Sequence, residues 1–330
     1  MPLSTLLASK SPFLRTLVPS IGLAYGLQAL VAIPSIATQS EKFYDLSGSL
    51  TYISVTALSL YLPTLRARAA AAASSSVATK PAWPSVLQAL SQGVSGSGAG
   101  VVNWRMFALT AAVTIWAGRL GTYLFSRISE EKNDSRFDEI RGKPLRFAVA
   151  FFAQATWVTL CSLPILLLNS LPAATAVATK SILPTDALGL GLFLFGLSFE
   201  VLADREKSAW SKAKREKKHS EEFITTGLWG KSRHPNYFGE MTAWTGIAIT
   251  AAGVLCGNAG QAGMGLAAYG ILGRLAAAGM CAVSPGFVSF LLLKVSGVPM
   301  SEKKYDKRFK DSKKYWEWKN NTPMIIPKLS

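Results

Sequence analysis

Apolar residues along this chain come in long runs, and polar residues come in blocks between them. Seven runs, near residues 18–38, 46–64, 106–125, 147–168, 186–203, 237–256 and 265–293, each reach the roughly 17 to 25 residues that a helix needs to cross a bilayer. The pattern predicts an all-α protein, a polytopic transmembrane helix bundle of about seven spans. The last run is too long for one straight helix and contains Ser284-Pro285-Gly286, which predicts a kink or a split there and leaves eight segments open. Composition agrees: 330 residues would ordinarily suggest two soluble domains, but 49% apolar and only 16% charged residues argue for a membrane protein.

Lysine and arginine set the orientation, because short cytoplasmic loops carry their excess. Segments 126–146, 204–236 and the tail from Lys303 onward together hold 24 of them, whereas the N-terminus, residues 65–105 and residues 169–185 hold 7. Seven spans place the three rich segments on one side, read as cytoplasmic. The net charge of +16 then reports topology and attraction to anionic lipid or ligand rather than nucleic-acid binding. Cys161, Cys256 and Cys281 all fall inside runs and lack CxxC or metal-ligand spacing, and with two histidines in the chain a zinc site is not expected. Lys10 and Arg15, with no acid before Glu41, also fit an N-terminal targeting sequence, but Val18 to Thr38 is long enough to be a first anchoring helix.

Residues 66–103, with an alanine and serine run, Pro81, Pro84 and a series of glycines, read as a flexible connector. They separate an N-terminal part, 1–104, from a C-terminal membrane domain, 105–330. The loop Arg127 to Arg141 mixes charges at helical spacings, which predicts a solvated surface helix with weak ion pairs. Lys207 to Lys218 reads as an amphipathic connector on anionic lipid, and the tail's alternating aromatics and lysines as an interfacial belt. Gly189, Gly191 and Gly196 predict a close helix–helix approach.

The densest chemistry lies at Thr226-Gly-Leu-Trp-Gly-Lys231-Ser-Arg233-His234-Pro235-Asn236-Tyr237-Phe-Gly-Glu240. Pro235 suits the first position of a helix, so Lys231, Arg233 and His234 would ring its positive end and its free N–H groups, a place for a phosphate or carboxylate. Asn236 and Glu240 lie four residues apart on one face. Arg119, Glu200, Glu240 and Arg274 sit inside runs at a cost of about 2–3 kcal/mol each, so Arg119 is expected to neutralise Glu200 or Glu240. Asp204 follows Glu200 by one turn and could accept from a ribose.

In combination, Arg119-Leu-Gly-Thr-Tyr123-Leu-Phe-Ser-Arg127, Asp134-Ser-Arg-Phe-Asp138, Glu200-xxx-Asp204, Gly227-Leu-Trp-xxx-Arg-His-Pro-Asn-Tyr-Phe-Gly-Glu240 and Val295-Ser-Gly-Val-Pro299 resemble the steroid 5-alpha-reductase-like membrane proteins. The resemblance covers roughly residues 105–330. It implies a seven-helix bundle of the endoplasmic reticulum that takes NADPH from the cytoplasmic side and reduces an activated carbon–carbon double bond in a lipophilic substrate. Residue by residue, it implies that Asn236 and Glu240 meet the nicotinamide end, that Asp204 lies near ribose or adenine, that Arg119 and Tyr123 line the cofactor helix, and that Tyr305 is the family's tail tyrosine. Lys231, Arg233, His234 and the adjoining Tyr237 are expected to complete the cofactor set, with Tyr123 the expected polarising donor and Glu240 expected to orient a neighbour or shuttle a proton.

The steroid reductases have Gly-Ala where this chain has His234-Pro235, and their steroid-holding residues have no clear equivalent, so the resemblance does not fix a steroid as substrate. Arg-His-Pro-x-Tyr also occurs in isoprenylcysteine carboxyl methyltransferases, which keeps an S-adenosylmethionine-dependent methyltransferase as an alternative. A non-enzymatic lipid-binding membrane protein is the third reading. Membrane lipids are the expected surroundings, and the oligomeric state is left open.

Overall fold

The structure, a computed structural model, describes residues 11–73, 82–85, 103–131, 133–172, 175 and 182–328. The glycine-rich part of the connector, including Gly96 to Gly100, and the N-terminal residue Lys10 lie outside them. Among the described residues every regular element is helical. In chain order these are α1 (Pro12–Ala37), α2 (Tyr44–Ala73), α3 (Trp104–Glu131), α4 (Pro144–Asn169), α5 (Pro184–Arg215), the single turn α6 (Leu228–Lys231), α7 (Pro235–Leu255), α8 (Asn258–Met264), α9 (Gly270–Phe290), α10 (Val298–Arg308) and α11 (Lys313–Asn321). Four helices open on a proline, Pro12, Pro144, Pro184 and Pro235, whose fixed φ suits the first turn and whose missing N–H is not needed there.

Each apolar run falls on a helix. Among the described residues, four helical segments are long and apolar enough to cross a membrane: Phe13–Ala37, Pro144–Asn169, Pro184–Arg215 and Ala267–Arg308. The last does not split at Ser284-Pro285-Gly286. Pro285 sits inside α9, and the irregular geometry lies at the ends, in a 3₁₀ turn at Ala267–Tyr269 and a π-helical stretch at Leu291–Val295. The expected connector also begins later than its composition suggests, because α2 continues through Arg66 and the alanines to Ala73; alanine is the strongest helix former.

The chain forms two compact units, residues 1–185 with 249–284 and residues 186–248 with 285–330. In the first, α1 packs on α2 and α4, and α2 packs on α3. Polar side chains pin these helices together. Gln154 Nε2 donates to Gln28 Oε1 at 2.9 Å, Gln28 Nε2 donates to Thr51 Oγ1 at 2.7 Å, and Asn169 Nδ2 donates to Ser59 Oγ at 2.8 Å. In an apolar surrounding such bonds specify helix neighbours, since the alternative is an unsatisfied amide. Tyr52 meets Trp116 and Trp157 edge-on, with centroids 5.3 and 5.1 Å away.

Residues 133–143 do not form the predicted surface helix. They fold as turns around buried Phe137, which packs with Phe147, Phe151 and Ala32. The charges serve a long-range clamp: Arg141 holds buried Glu41 through two bonds of 2.7 and 2.6 Å, the Asp134 N–H donates to Glu41 at 2.9 Å, and Arg136 bridges Asp45 and Asp134 at 2.6 Å each. Burial would raise the Glu41 carboxyl, but the bonds from Arg141 and Asp134 hold it below the usual range.

In the second unit, α5 and α7 run antiparallel at backbone contact. A Cβ on Gly196 would stand 2.5 Å from both Gly239 O and Ala243 N, and one on Gly239 would stand 2.6 Å from Glu200 N and Gly196 O. Gly246 meets Gly189 and Phe193 in the same way. Gly189 and Gly196 thus provide the expected small face, whereas Gly191 points into open space.

Candidate functional site

The site forms where the loop before α7 meets the C-terminal segment, all within the second unit. Helix α6 is fixed first. Gly227 takes φ +59°, a left-handed conformation suited to glycine, and Glu206 on α5 accepts the Leu228 N–H at 2.8 Å. Trp229 is buried, donates Nε1 to Ala203 O at 2.9 Å, and carries the Lys207 ammonium 4.5 Å above its ring. Lys207 therefore belongs to this docking rather than to a separate connector, and α5 continues as one helix to Arg215.

After α6 the chain pairs with the tail through backbone. Arg233 N donates to Pro323 O at 2.9 Å, His234 N to Met324 O at 3.1 Å, and Lys328 N to Lys231 O at 3.0 Å. Ser232 Oγ adds a bond to Ile325 O at 2.8 Å. Pro235 then opens α7 as predicted. The side chains flanking that start turn to one carboxylate, Glu302 on α10. Arg233 Nη1 lies 2.9 Å from Glu302 Oε2, His234 Nε2 lies 3.1 Å from Oε1, and Lys319 on α11 reaches Oε2 at 2.6 Å. Lys319 also binds Asp306 at 2.5 Å, and Asp306 accepts the Tyr315 hydroxyl at 2.7 Å. Sequence reasoning expected an anion beside Arg233 and His234, and the anion bonded there is the chain's own.

Electrostatics follow from this geometry. Burial alone would raise the Glu302 carboxyl, yet hydrogen bonds from His234 and Lys319 and the charges of Arg233 and Lys319 bring it down to about 2. His234 is lowered from its ordinary value, first by burial and further by Lys207 and Arg233, with Glu302 opposing. At neutral pH the ring is therefore neutral and Glu302 is ionised.

The remaining expected residues divide into groups. Asn236 follows Pro235, and its Oδ1 is buried with no hydrogen-bond partner among the described residues, as is Arg233 Nε. Tyr237 stacks on His234 with centroids 5.2 Å apart and planes 5° from parallel. Lys231 is exposed and Glu240 half-buried. Glu200 and Asp204 are buried on α5, and the Gly239 contact brings Glu200 beside the stretch that carries Glu240. Tyr305 is stacked on Phe309 in a small aromatic core with Phe223, Tyr315 and Trp318. Arg119 and Tyr123 belong to the first unit, with the guanidinium 5.5 Å over the tyrosine ring. Beside Arg233 and Lys319 opens a cleft of about 470 Å³, lined also by Asn320, Asn321, Thr322, Pro323 and Met324. No cluster of three His, Cys, Asp or Glu suited to a metal occurs among the described residues.

Glu302, Asp306, Lys319 and Tyr315 were not anticipated. A signal existed: Glu302 and Asp306 are four residues apart after Val298-Pro299, hence on one helical face in an otherwise basic segment.

The fold and this site define a helical protein of membrane type whose C-terminal segment closes on a short stretch of mixed charge at the head of α7. The chain matches the family model described as Protein of unknown function (DUF1295) over residues 68–267 and 262–322, and it belongs to that family, one of steroid 5-alpha-reductase-like membrane proteins. No curated protein and no solved structure matches it.

Proposed function

We propose that the chain is an integral-membrane reductase that uses NADPH to reduce an activated carbon–carbon double bond in a lipophilic, sterol- or lipid-like substrate. The observation that carries this reading is the buried, unpartnered Asn236 Oδ1 beside the Arg233–His234 pair, because a buried acceptor without a donor is costly until a ligand supplies one. A carboxamide N–H suits Asn236, and Arg233 Nε and exposed Lys231 suit phosphate oxygens. Asp204, Tyr237, Tyr305 and Arg119 complete the proposed cofactor set. When bound, NADPH supplies a hydride. In this reading Tyr123 polarises the substrate carbonyl, Glu240 orients or shuttles a proton, and the apolar surroundings strengthen both effects. Seven spans, an endoplasmic reticulum membrane and a cytosolic C-terminus complete the proposal, with membrane lipid as surroundings.

A second reading, methyl transfer from S-adenosylmethionine, is favoured by one observation: Glu302 already pairs with Arg233 and His234 of the cationic collar, and that cofactor carries one carboxylate rather than several phosphates. One titration separates the two. Detergent-solubilised protein is expected to gain thermal stability with NADPH, since a ligand that binds only the folded state raises the midpoint. Stabilisation by S-adenosylmethionine and not by NADPH overturns the reductase assignment.

A further inference from the structure

The proposed reading uses Arg233 and His234 but not the carboxylate that holds them. We propose that Glu302 is a positioning residue of this site: it fixes the Arg233 guanidinium and the tautomer of His234, so that the C-terminal segment is part of the binding site rather than an appendage to it.

Glu302 uses both oxygens. Oε1 faces His234 Nε2 at 3.1 Å, and Oε2 faces Arg233 Nη1 at 2.9 Å and Lys319 Nζ at 2.6 Å. An ionised carboxylate only accepts, so the proton on a neutral His234 ring must sit on Nε2, which leaves Nδ1 as an acceptor. The Tyr237 stack fixes the ring on a further side, and the bond from His234 N to Met324 O at 3.1 Å fixes the main chain that carries it. Without Glu302, three donors would converge with no acceptor between them, and the guanidinium and ammonium would repel. Asp306, held by Lys319 at 2.5 Å and by Tyr315 at 2.7 Å, props the lysine from the far side. The pairing of residues 231–234 with 323–328 delivers the segment independently of Glu302, so a change at Glu302 alters the site without undocking the tail. The titratable and charged groups that bear on His234 are Glu302 from α10, Arg233 from its own loop, Lys207 from α5 and, through Glu302, Lys319 from α11.

The chain has only two histidines, His219 and His234, so protein labelled at histidine with ¹⁵N gives two assignable rings, with His219→Asn as the assignment control. In the wild type, His234 is expected in the Nε2–H form at neutral pH. Glu302→Ala is expected to give a tautomer mixture, to move the His234 titration further down because the favourable carboxylate is gone, and to leave His219 unchanged. Glu302→Gln keeps an acceptor without the charge, so it is expected to restore the tautomer but not the titration. This split distinguishes positioning from bulk stability, and Glu302→Gln serves as the working variant if Glu302→Ala does not fold. NADPH affinity, the arm that rests on the reductase reading, is expected to weaken about tenfold in Glu302→Ala, the scale of one lost charge-assisted bond. A wild-type tautomer and titration in Glu302→Ala overturns the proposal, as does unchanged affinity with an altered ring. If wild type ignores NADPH altogether, the reductase reading falls while the ring measurement still decides the role of Glu302.

Discussion

Replacing Gly196 with alanine tests the central packing of the second unit. The added Cβ would lie 2.5 Å from Gly239 O and from Ala243 N, where ordinary contact begins near 3.4 Å. Both obstacles are backbone, so no rotamer change relieves them and α5 and α7 must separate by about 1 Å. Overpacking of this kind costs about 1–3 kcal/mol. The site shares the strain, because Gly239 lies one residue before Glu240 and packs on Glu200. Gly191→Ala is the internal control: on the same helix, with nothing within 4 Å of its Cβ, it is expected to be neutral or to stabilise by about 0.5–1 kcal/mol by restricting the unfolded chain. Thermal unfolding of the detergent-solubilised variants measures both. Gly196→Ala should melt several degrees below wild type and Gly191→Ala at or above it; equal midpoints for the two would refute the close approach of these helices.

Two further outcomes follow from the charge networks. Arg141→Ala removes two bonds from buried Glu41 and leaves it the Asp134 N–H, so chemical unfolding should record a loss of about 2–3 kcal/mol, partly recovered by adding Glu41→Gln; a change under about 0.5 kcal/mol would contradict the clamp. Glu302 is lowered from 4.5 to about 2, so its contribution is complete above pH 4.5 and lost as the pH falls toward 2. That contribution is at most about 3 kcal/mol, nearer 2 after screening at its partly exposed position. His234, lowered from 6.5, adds a loss of stability that begins as the pH falls below 6.5, because the unfolded ring takes the proton first. Protection of the amides around Glu302 on α10, taken relative to their intrinsic exchange rate at each pH, should therefore fall in acid, and acid-insensitive protection there would argue against the network.

The helices were legible because an apolar run near 20 residues has few other ways to satisfy its backbone in lipid. Their ends were not. Alanine-rich residues 66–73 carry no periodic signal, so low complexity read as linker where helix propensity prevailed. The converse held at 133–143: mixed charges at helical spacing suggested a solvated helix, but Phe137 enters a core and Glu41, about a hundred positions away, supplies the acceptor for Arg141. Periodicity is local and cannot report a partner at that separation.

The same limit explains what was visible at the site. Pro235 as a helix start, and the clustering of Arg233, His234, Asn236 and Tyr237 about it, are consequences of adjacency in sequence and were read correctly as a local arrangement. What those cations face is a tertiary fact. A collar of lysine and arginine next to a helix N-terminus can be met by an internal acid as well as by a ligand, and Glu302 reaches Arg233 and His234, carried by a tail whose lysines disguise the acid within a basic segment. Eight tail cations, Lys303, Lys304, Lys307, Arg308, Lys310, Lys313, Lys314 and Lys328, are exposed, whereas Glu302 and Lys319 turn inward and oppose one another. Net charge along the segment thus describes what it shows to lipid and solvent, while Glu302 and Asp306, of minority sign and turned to Arg233, His234 and Lys319, mark where it docks.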